Sequence, residues 1–297
     1  MMINRLCIFG VGLMGGSLAL ALRRAGQVGE VVGCGRSRAN LEEALSCGIL
    51  DRYEQDPAQA VRGADMVLLA VPLGAMHSVC VAIRDHLAAD AVLTDVGSAK
   101  GSVVEDVRAA FGTLPTQFVP GHPIAGTEKS GATAAFATLY EKRRVILTPL
   151  PETAPQALAR VRMMWELTGA VVEETTVTHH DEVLAATSHL PHLLAFGLVD
   201  SLAQQGEREE IFRYAAGGFR DFTRIASSDP VMWRDICLAN REAILQALAH
   251  FEADLHAIKQ AVRNEDGHQL LACFQRAKVA RDRFCDIVAT SPEMGPE

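Results

Sequence analysis

From Arg5 to about residue 178 the chain alternates short apolar or β-branched runs with longer stretches of helical period. The runs are Leu6–Phe9, Val28–Val32, Met66–Val71, Val92–Val96, Gln117–Val119, Arg144–Leu147 and Val171–Thr175. Strands apolar on both faces, separated by helix-length segments such as Ser17–Arg24 and Ser98–Phe111, predict a parallel sheet covered on both sides. The fold class expected is therefore α/β, doubly wound. After Thr178 the β-rich runs stop and the period is helical to the end, which predicts an all-α second domain. The expected division is 1–178 and 179–297.

Within the second part, Asp229-Pro230 reads as an N-cap followed by proline at the first helical position, opening a helix expected to run to about Arg263. Along it Ile244, Leu248, Phe251, Leu255, Ile258 and Val262 recur at the spacing of a helix packed on another helix. Packing within the chain and packing across a dimer fit that stripe equally. The tail, Ser291–Glu297, is expected to fray.

The one segment that imitates a signal peptide or membrane span is Leu6–Leu22, seventeen residues without a charge. Glycines 10, 12, 15 and 16 interrupt it at its centre and it is short for a span, so neither targeting nor membrane insertion is expected. Composition narrows the function further. With 36 acidic against 28 basic side chains, a formal charge of −8 and aromatics at 5%, the chain offers neither a basic footprint nor stacking rings for nucleic acid. Its seven cysteines are scattered and contain no CxxC, so they are read as reduced thiols in a cytoplasmic protein.

Gly10-Val11-Gly12-Leu13-Met14-Gly15 follows the first strand directly and opens a helical pattern. In that setting GxGxxG is the dinucleotide-binding fingerprint of a Rossmann-type sheet. Gly10 makes the tight turn, Gly12 lets the backbone approach a pyrophosphate, and Gly15 allows close packing of helix on strand. A cofactor with a free ribose 2′-hydroxyl is met at the end of the second strand by an acid. Here that segment reads Gly33-Cys34-Gly35-Arg36-Ser37-Arg38, with no acid between Val31 and Leu41. Guanidinium groups and the Ser37 hydroxyl suit a 2′-phosphate, so NADP is favoured, with NAD as the alternative.

Ligands of an open parallel sheet bind beyond the strand C-termini. The groups expected there are Val71 and Pro72 after the third strand, Ser98 in Asp95-Val96-Gly97-Ser98-Ala99-Lys100, and His122 in Gly121-His122-Pro123-Ile124-Ala125-Gly126-Thr127-Glu128-Lys129-Ser130-Gly131. Further on stand Ser188-His189-Leu190-Pro191-His192, Gly217-Gly218-Phe219-Arg220-Asp221-Phe222-Thr223-Arg224 and Met232-Trp233-Arg234-Asp235. His189 and His192, with His179, His180 and Asp181, imitate metal-ligand spacing. Pro191 disturbs the helix that would align the pair, and no metal site is expected.

With these segments in hand, the chain up to its tail resembles the prephenate dehydrogenases, a group that includes arogenate and cyclohexadienyl dehydrogenases of tyrosine biosynthesis. The resemblance implies oxidative decarboxylation of prephenate to 4-hydroxyphenylpyruvate, with hydride passing to a nicotinamide cofactor. It also implies a homodimer through the helical domain. His122 matches the family's catalytic histidine, Ser98 the hydroxyl that assists it, and Arg224 the arginine that binds a substrate carboxylate. Gly218 and His192 are expected in the substrate pocket. Glu128 and Trp233 are expected there as well, with an ordinary ion pair and a core aromatic as the competing readings. Ser98 also reads as a helix N-cap.

Two other functions fit part of the pattern. A β-hydroxyacid dehydrogenase shares the two-domain plan but relies on a lysine where this chain offers histidines. A non-catalytic NADP sensor would have no reason to gather His122, Ser98 and Arg224 around one pocket.

Overall fold

The computed structural model describes residues 1–127, 129–205 and 214–290, without the side chains of 288–290. The first part is built on β1 (Ile3–Phe9), α1 (Leu13–Arg24), β2 (Val28–Cys34), α2 (Arg38–Ser46), β3 (Arg52–Glu54), α3 (Pro57–Ala60), β4 (Met66–Leu69), α4 (Met76–Ile83), β5 (Val92–Asp95), α5 (Lys100–Phe111) and β6 (Phe118–Val119). These strands form one six-stranded sheet in the order β3-β2-β1-β4-β5-β6, every pair parallel. Ile3, Leu6, Ile8 and Leu68 point into one apolar cluster and Cys7, Phe9, Val67 and Leu69 into the other, so alternate residues of the same strands feed a core on each face. The strand order reverses between β1 and β4, and the crevice outside their C-terminal ends is where such a sheet receives a ligand. The uncharged Leu6–Leu22 run is the end of β1, the glycine loop and most of α1.

The rest of the strand pattern departs from the expected single sheet. β7 (Gly121–Pro123), β8 (Arg144–Leu147) and β9 (Val171–Glu174), with α6 (Pro155–Glu166) before β9, make a separate three-stranded sheet. In it β7 runs antiparallel to β8, with His122 opposite Ile146. His122 therefore lies inside a short strand of a second sheet, not in a loop beyond a strand end. Pro120, which has no N–H to offer a ladder, separates this strand from β6.

The remainder is helical: α7 (Val177–Leu184), a π-helical turn at Ala185–His189, α8 (Leu190–Ala203), α9 (Gly217–Thr223), a 3₁₀ turn at Arg224–Ser227, α10 (Pro230–Ala239), α11 (Arg241–Arg263) and α12 (Gly267–Thr290). Asp229 caps α10, accepting from the Met232 N–H at 2.7 Å, with Pro230 first in the helix. The single helix expected to run from there to Arg263 is instead two, broken at Asn240, whose side chain is drawn into contacts elsewhere. Of the stripe along α11 only Ile244 is buried, whereas Leu255 is 51% and Val262 60% exposed. Packing within the chain thus covers that face only in part. The run Val177–Ala203 is long and apolar enough to cross a membrane by length and composition. Its first half carries buried polar groups, His180, Asp181 and His189. The tail at Ser291–Glu297 lies outside the described residues.

Candidate active site

The nucleotide crevice is shaped by what its glycines exclude. Gly10 ends β1 with φ of 89°, and a Cβ there would lie 2.3 Å from the Ala70 carbonyl oxygen. A Cβ on Gly15 would lie 2.7 Å from Gly10 O and from the Ile8 side chain, so α1 sits as close to β1 as backbone allows. Gly12 faces open space at the N-cap of α1, a twelve-residue helix with no capping side chain and no acid in its first turn. The N–H groups of Leu13, Met14 and Gly15 are thus left for an anion, a cradle that fits a dinucleotide pyrophosphate. Asn40 Nδ2 donates to Val11 O at 2.8 Å and ties this loop to α2. At the 2′ end, Arg38 is engaged by Glu42, and the Ser37 hydroxyl caps α2 by accepting from Asn40 N–H. Arg36 is exposed on the loop, its carbonyl held by Gln55. Val71 and Pro72 follow β4 and lead into the 3₁₀ turn Leu73–Ala75.

His122 stands at the head of a relay. Its Nδ1 is 2.8 Å from His180 Nε2, and His180 Nδ1 is 2.7 Å from Asp181 Oδ1. Burial pushes the Asp181 carboxyl up, but the hydrogen bonds from His180 and from the Lys100 and Gly101 N–H groups outweigh it and hold it below the usual carboxylate range. An ionised carboxylate only accepts, so His180 donates to it from Nδ1, and in the neutral ring Nε2 is then a lone pair. His122 must then donate from Nδ1, which leaves its own Nε2 as an acceptor. Burial above all, with His180, Lys100 and His189 nearby, holds the His122 imidazole well below its ordinary pKa. The result is a neutral ring with one basic nitrogen of fixed identity.

A buried ion pair aligns the two segments that carry Ser98 and His122. Lys100 Nζ contacts Asp95 and donates to Gly121 O at 2.6 Å, and both charged side chains are fully buried. Asp95 also accepts from the N–H groups of Gly97 at 2.7 Å and Gly121 at 3.1 Å. The residue before Ser98 and the residue before His122 thus hang on one carboxylate. Ala99, not Ser98, is the N-cap of α5, and the Asp181 carboxylate takes the first-turn N–H groups of Lys100 and Gly101 at 2.8 Å each. The capping role expected for Ser98 falls to an acid some 80 residues along. Asp181 therefore orients the histidines and joins α7 to the sheet at once.

The helical wall supplies the remaining groups. His192 stacks on Trp233 with ring centroids 3.6 Å apart and donates from Nδ1 to Ser188 O at 2.9 Å. Burial lowers its pKa, and the Arg224 charge adds to that. Trp233 is buried, and its Nε1–H has no partner among the described residues. His189 packs edge-on against the same indole at 6.1 Å.

With this geometry known, comparison with known proteins is decisive. Residues 18–174 match the family described as prephenate dehydrogenase, nucleotide-binding domain, and residues 176–276 its dimerization domain. The chain belongs to the prephenate dehydrogenase family. It is 40% identical over 281 residues to the cyclohexadienyl dehydrogenase of Zymomonas mobilis, covering 94% of this chain and 95% of that one. It is 36% identical to the prephenate dehydrogenase of Bacillus subtilis, over 94% of this chain and 76% of that one. Among solved structures it superposes on Aquifex aeolicus prephenate dehydrogenase, crystallised with hydroxyphenyl propionate and NAD+, with TM-score 0.88 and 39% identity over 95% and 98% of the two chains.

In this member of the family the residues expected from sequence fall into connected groups. The segments that carry Ser98 and His122 are joined through Asp95, which holds the preceding residues Gly97 and Gly121, while His192 and Trp233 are stacked with Arg224 close enough to bias His192. Gly218 is exposed in α9, and Glu128 lies outside the described residues. The groups not anticipated in these roles are His180, Asp181, Lys100 and Asn240. His180 and Asp181 were visible only as apparent metal spacing, and nothing in the sequence pairs them with His122 or α5.

Proposed function

We propose that the chain oxidatively decarboxylates prephenate to 4-hydroxyphenylpyruvate, with His122 Nε2 accepting from the ring hydroxyl. The observation that carries this reading is the His122–His180–Asp181 relay, which leaves a single unprotonated nitrogen on a neutral, buried imidazole. As hydride leaves the carbon bearing the hydroxyl, positive character develops at that carbon and the hydroxyl becomes acidic. His122 takes up that proton density, and the ionised Asp181, acting through His180, stabilises the imidazolium character. Loss of carbon dioxide leaves its bonding pair to aromatise the ring, and the proton returns to the phenol oxygen. Ser98 assists at the hydroxyl, and Arg224 pairs with a carboxylate of the dianionic substrate. His192, Trp233 and Gly218 complete the pocket in this reading.

The Gly10–Gly15 loop and the first turn of α1 would hold the dinucleotide at its pyrophosphate, with Val71, whose backbone adjoins Gly10, and Pro72 beside it. When bound, it accepts the hydride. We take NADP as the preferred form: no acid follows β2, Arg36 is exposed there, and Ser37 keeps its hydroxyl proton to donate to a phosphate. The helical domain is read as the contact of a homodimer, supported by its match to a dimerization domain and by exposed Leu255, Val262, Leu271 and Phe274 along α11 and α12. The free thiols, among them buried Cys7, Cys34 and Cys80, support placement in the cytoplasm. Incubation of the purified protein with prephenate and either cofactor tests the reading. Equimolar 4-hydroxyphenylpyruvate, carbon dioxide and reduced cofactor are expected, and no turnover with either cofactor would refute it.

A further inference from the structure

Asn240, at the break between α10 and α11, is 5% exposed. Its Nδ2 is 2.8 Å from the Asp181 carbonyl oxygen and 3.1 Å from His189 Nδ1. A carbonyl only accepts, so the group facing Asp181 is the amide NH2, and the same NH2 must donate its second hydrogen to His189. His189 Nδ1 is therefore a lone pair. Burial holds the ring neutral, its pKa brought down to about 4, so its one hydrogen sits on Nε2. His189 is itself 1% exposed, and its Nε2 has no hydrogen-bond partner among the described residues. With no acceptor for it among the described residues, that N–H is left open to an oxygen from outside the chain.

The surroundings say what that partner is. His189 packs on the indole of Trp233, on which His192 is stacked, and it is close enough to His122 to help lower that residue's pKa. It thus lies between the hydroxyl acceptor and the wall that carries Arg224. Nδ1 is turned to Asn240, and Nε2 lies across the ring from it.

We propose that His189 is a substrate-binding residue presenting a fixed, uncharged Nε2–H donor to an oxygen of the bound substrate, with Asn240 as the positioning residue that sets its tautomer. The proposal rests on the prephenate reading above. Its chemistry has a consequence: the site holds one neutral histidine that only accepts toward substrate, His122, and another that only donates, each fixed by its own buried partner.

Isosteric variants separate this role from a structural one. His189→Gln places an amide NH2 near the Nε2 position, whereas His189→Asn keeps a group beside Asn240 but reaches no further. With prephenate at saturating cofactor, His189→Gln is expected within about threefold of wild type. His189→Asn is expected to raise KM about tenfold or more while cofactor affinity stays unchanged. His189→Phe, which keeps a ring on Trp233, should behave like His189→Asn and serves if the latter folds poorly. Equal impairment of the Gln and Asn variants, or wild-type KM in both variants that lack the donor, overturns the proposal. A wild type inactive on prephenate would be recognised separately, and would remove the substrate reading together with this one.

Discussion

His122 Nδ1 and His180 Nε2 meet at 2.8 Å, and because Asp181 accepts from the far side of His180, the hydrogen between the two rings belongs to His122. The reactivity of His122 is thereby set by a carboxylate it never touches. Asp181→Asn turns one accepting oxygen into a donor, which favours the opposite tautomer in both rings and puts a hydrogen on His122 Nε2. A wrong tautomer in a comparable relay costs several orders of magnitude. We expect kcat to fall about a hundredfold with cofactor affinity within twofold, measured by steady-state kinetics and cofactor titration. A variant that keeps half its kcat would show that Asp181 serves only to cap α5.

The direction of the His122 shift fixes the sign of the pH dependence. Burial, and then the neighbouring charges, lower its pKa, so the basic form exists above that value and is lost as pH falls through it. The profile of kcat/KM against pH should be flat around neutrality, with its acid limb below the ordinary histidine range and a slope of one decade per unit. A limb at or above pH 6.5 attributable to His122 would contradict the buried relay.

Lys100 and Asp95 are fully buried together. Burial lowers the Lys100 pKa while Asp95 and Asp181 oppose that shift. Lys100→Met leaves the Asp95 carboxylate without its cation and Gly121 O without a donor. The expected loss is about 3–5 kcal/mol of stability, read from urea unfolding. Replacement of both residues by apolar ones should recover part of it.

Arg224→Ala is expected to act on KM, because a carboxylate pair is formed before the chemistry and persists through it. A loss of about 1.5–3 kcal/mol corresponds to a rise of roughly ten- to hundredfold. Unchanged KM for prephenate would remove Arg224 from the substrate site.

Cofactor preference depends on a few positions after β2. A Cβ at Gly35 would make only ordinary contact, 3.6 Å from Leu41, so an aspartate there fits without rearrangement. Gly35→Asp combined with Arg36→Ser should reverse a roughly ten- to hundredfold NADP preference, since the carboxylate accepts from a 2′-hydroxyl and repels a 2′-phosphate. The comparison is kcat/KM for both cofactors in both proteins. A wild type equally good with NAD would mean that Arg36 is a surface charge.

What the sequence reveals and what it hides divide along the range of the interactions. The glycine loop is legible because strand, turn and helix are consecutive, and each glycine answers a local steric demand. Asp229 and Pro230 announce α10 for the same reason. The break at Asn240 is hidden, since the apolar spacing resumes at once on its far side and only the contacts of its amide with Asp181 and His189 show why the helix turns there. The motif singles out His122, yet its place in an antiparallel strand depends on β8, and its tautomer on His180, 58 positions away. Ser98 had the look of a cap, and the helix is capped instead from the other domain. Pairings of this kind are made by topology, and a pattern along one segment carries no trace of them.

The account's central claim, that His122 accepts from the substrate hydroxyl as hydride leaves, is tested most directly by the kcat of His122→Asn with prephenate at saturating cofactor. A positioned proton acceptor contributes roughly two to four orders of magnitude, so kcat should fall by that amount while cofactor affinity is unchanged. A variant retaining more than half the wild-type kcat would contradict the assignment.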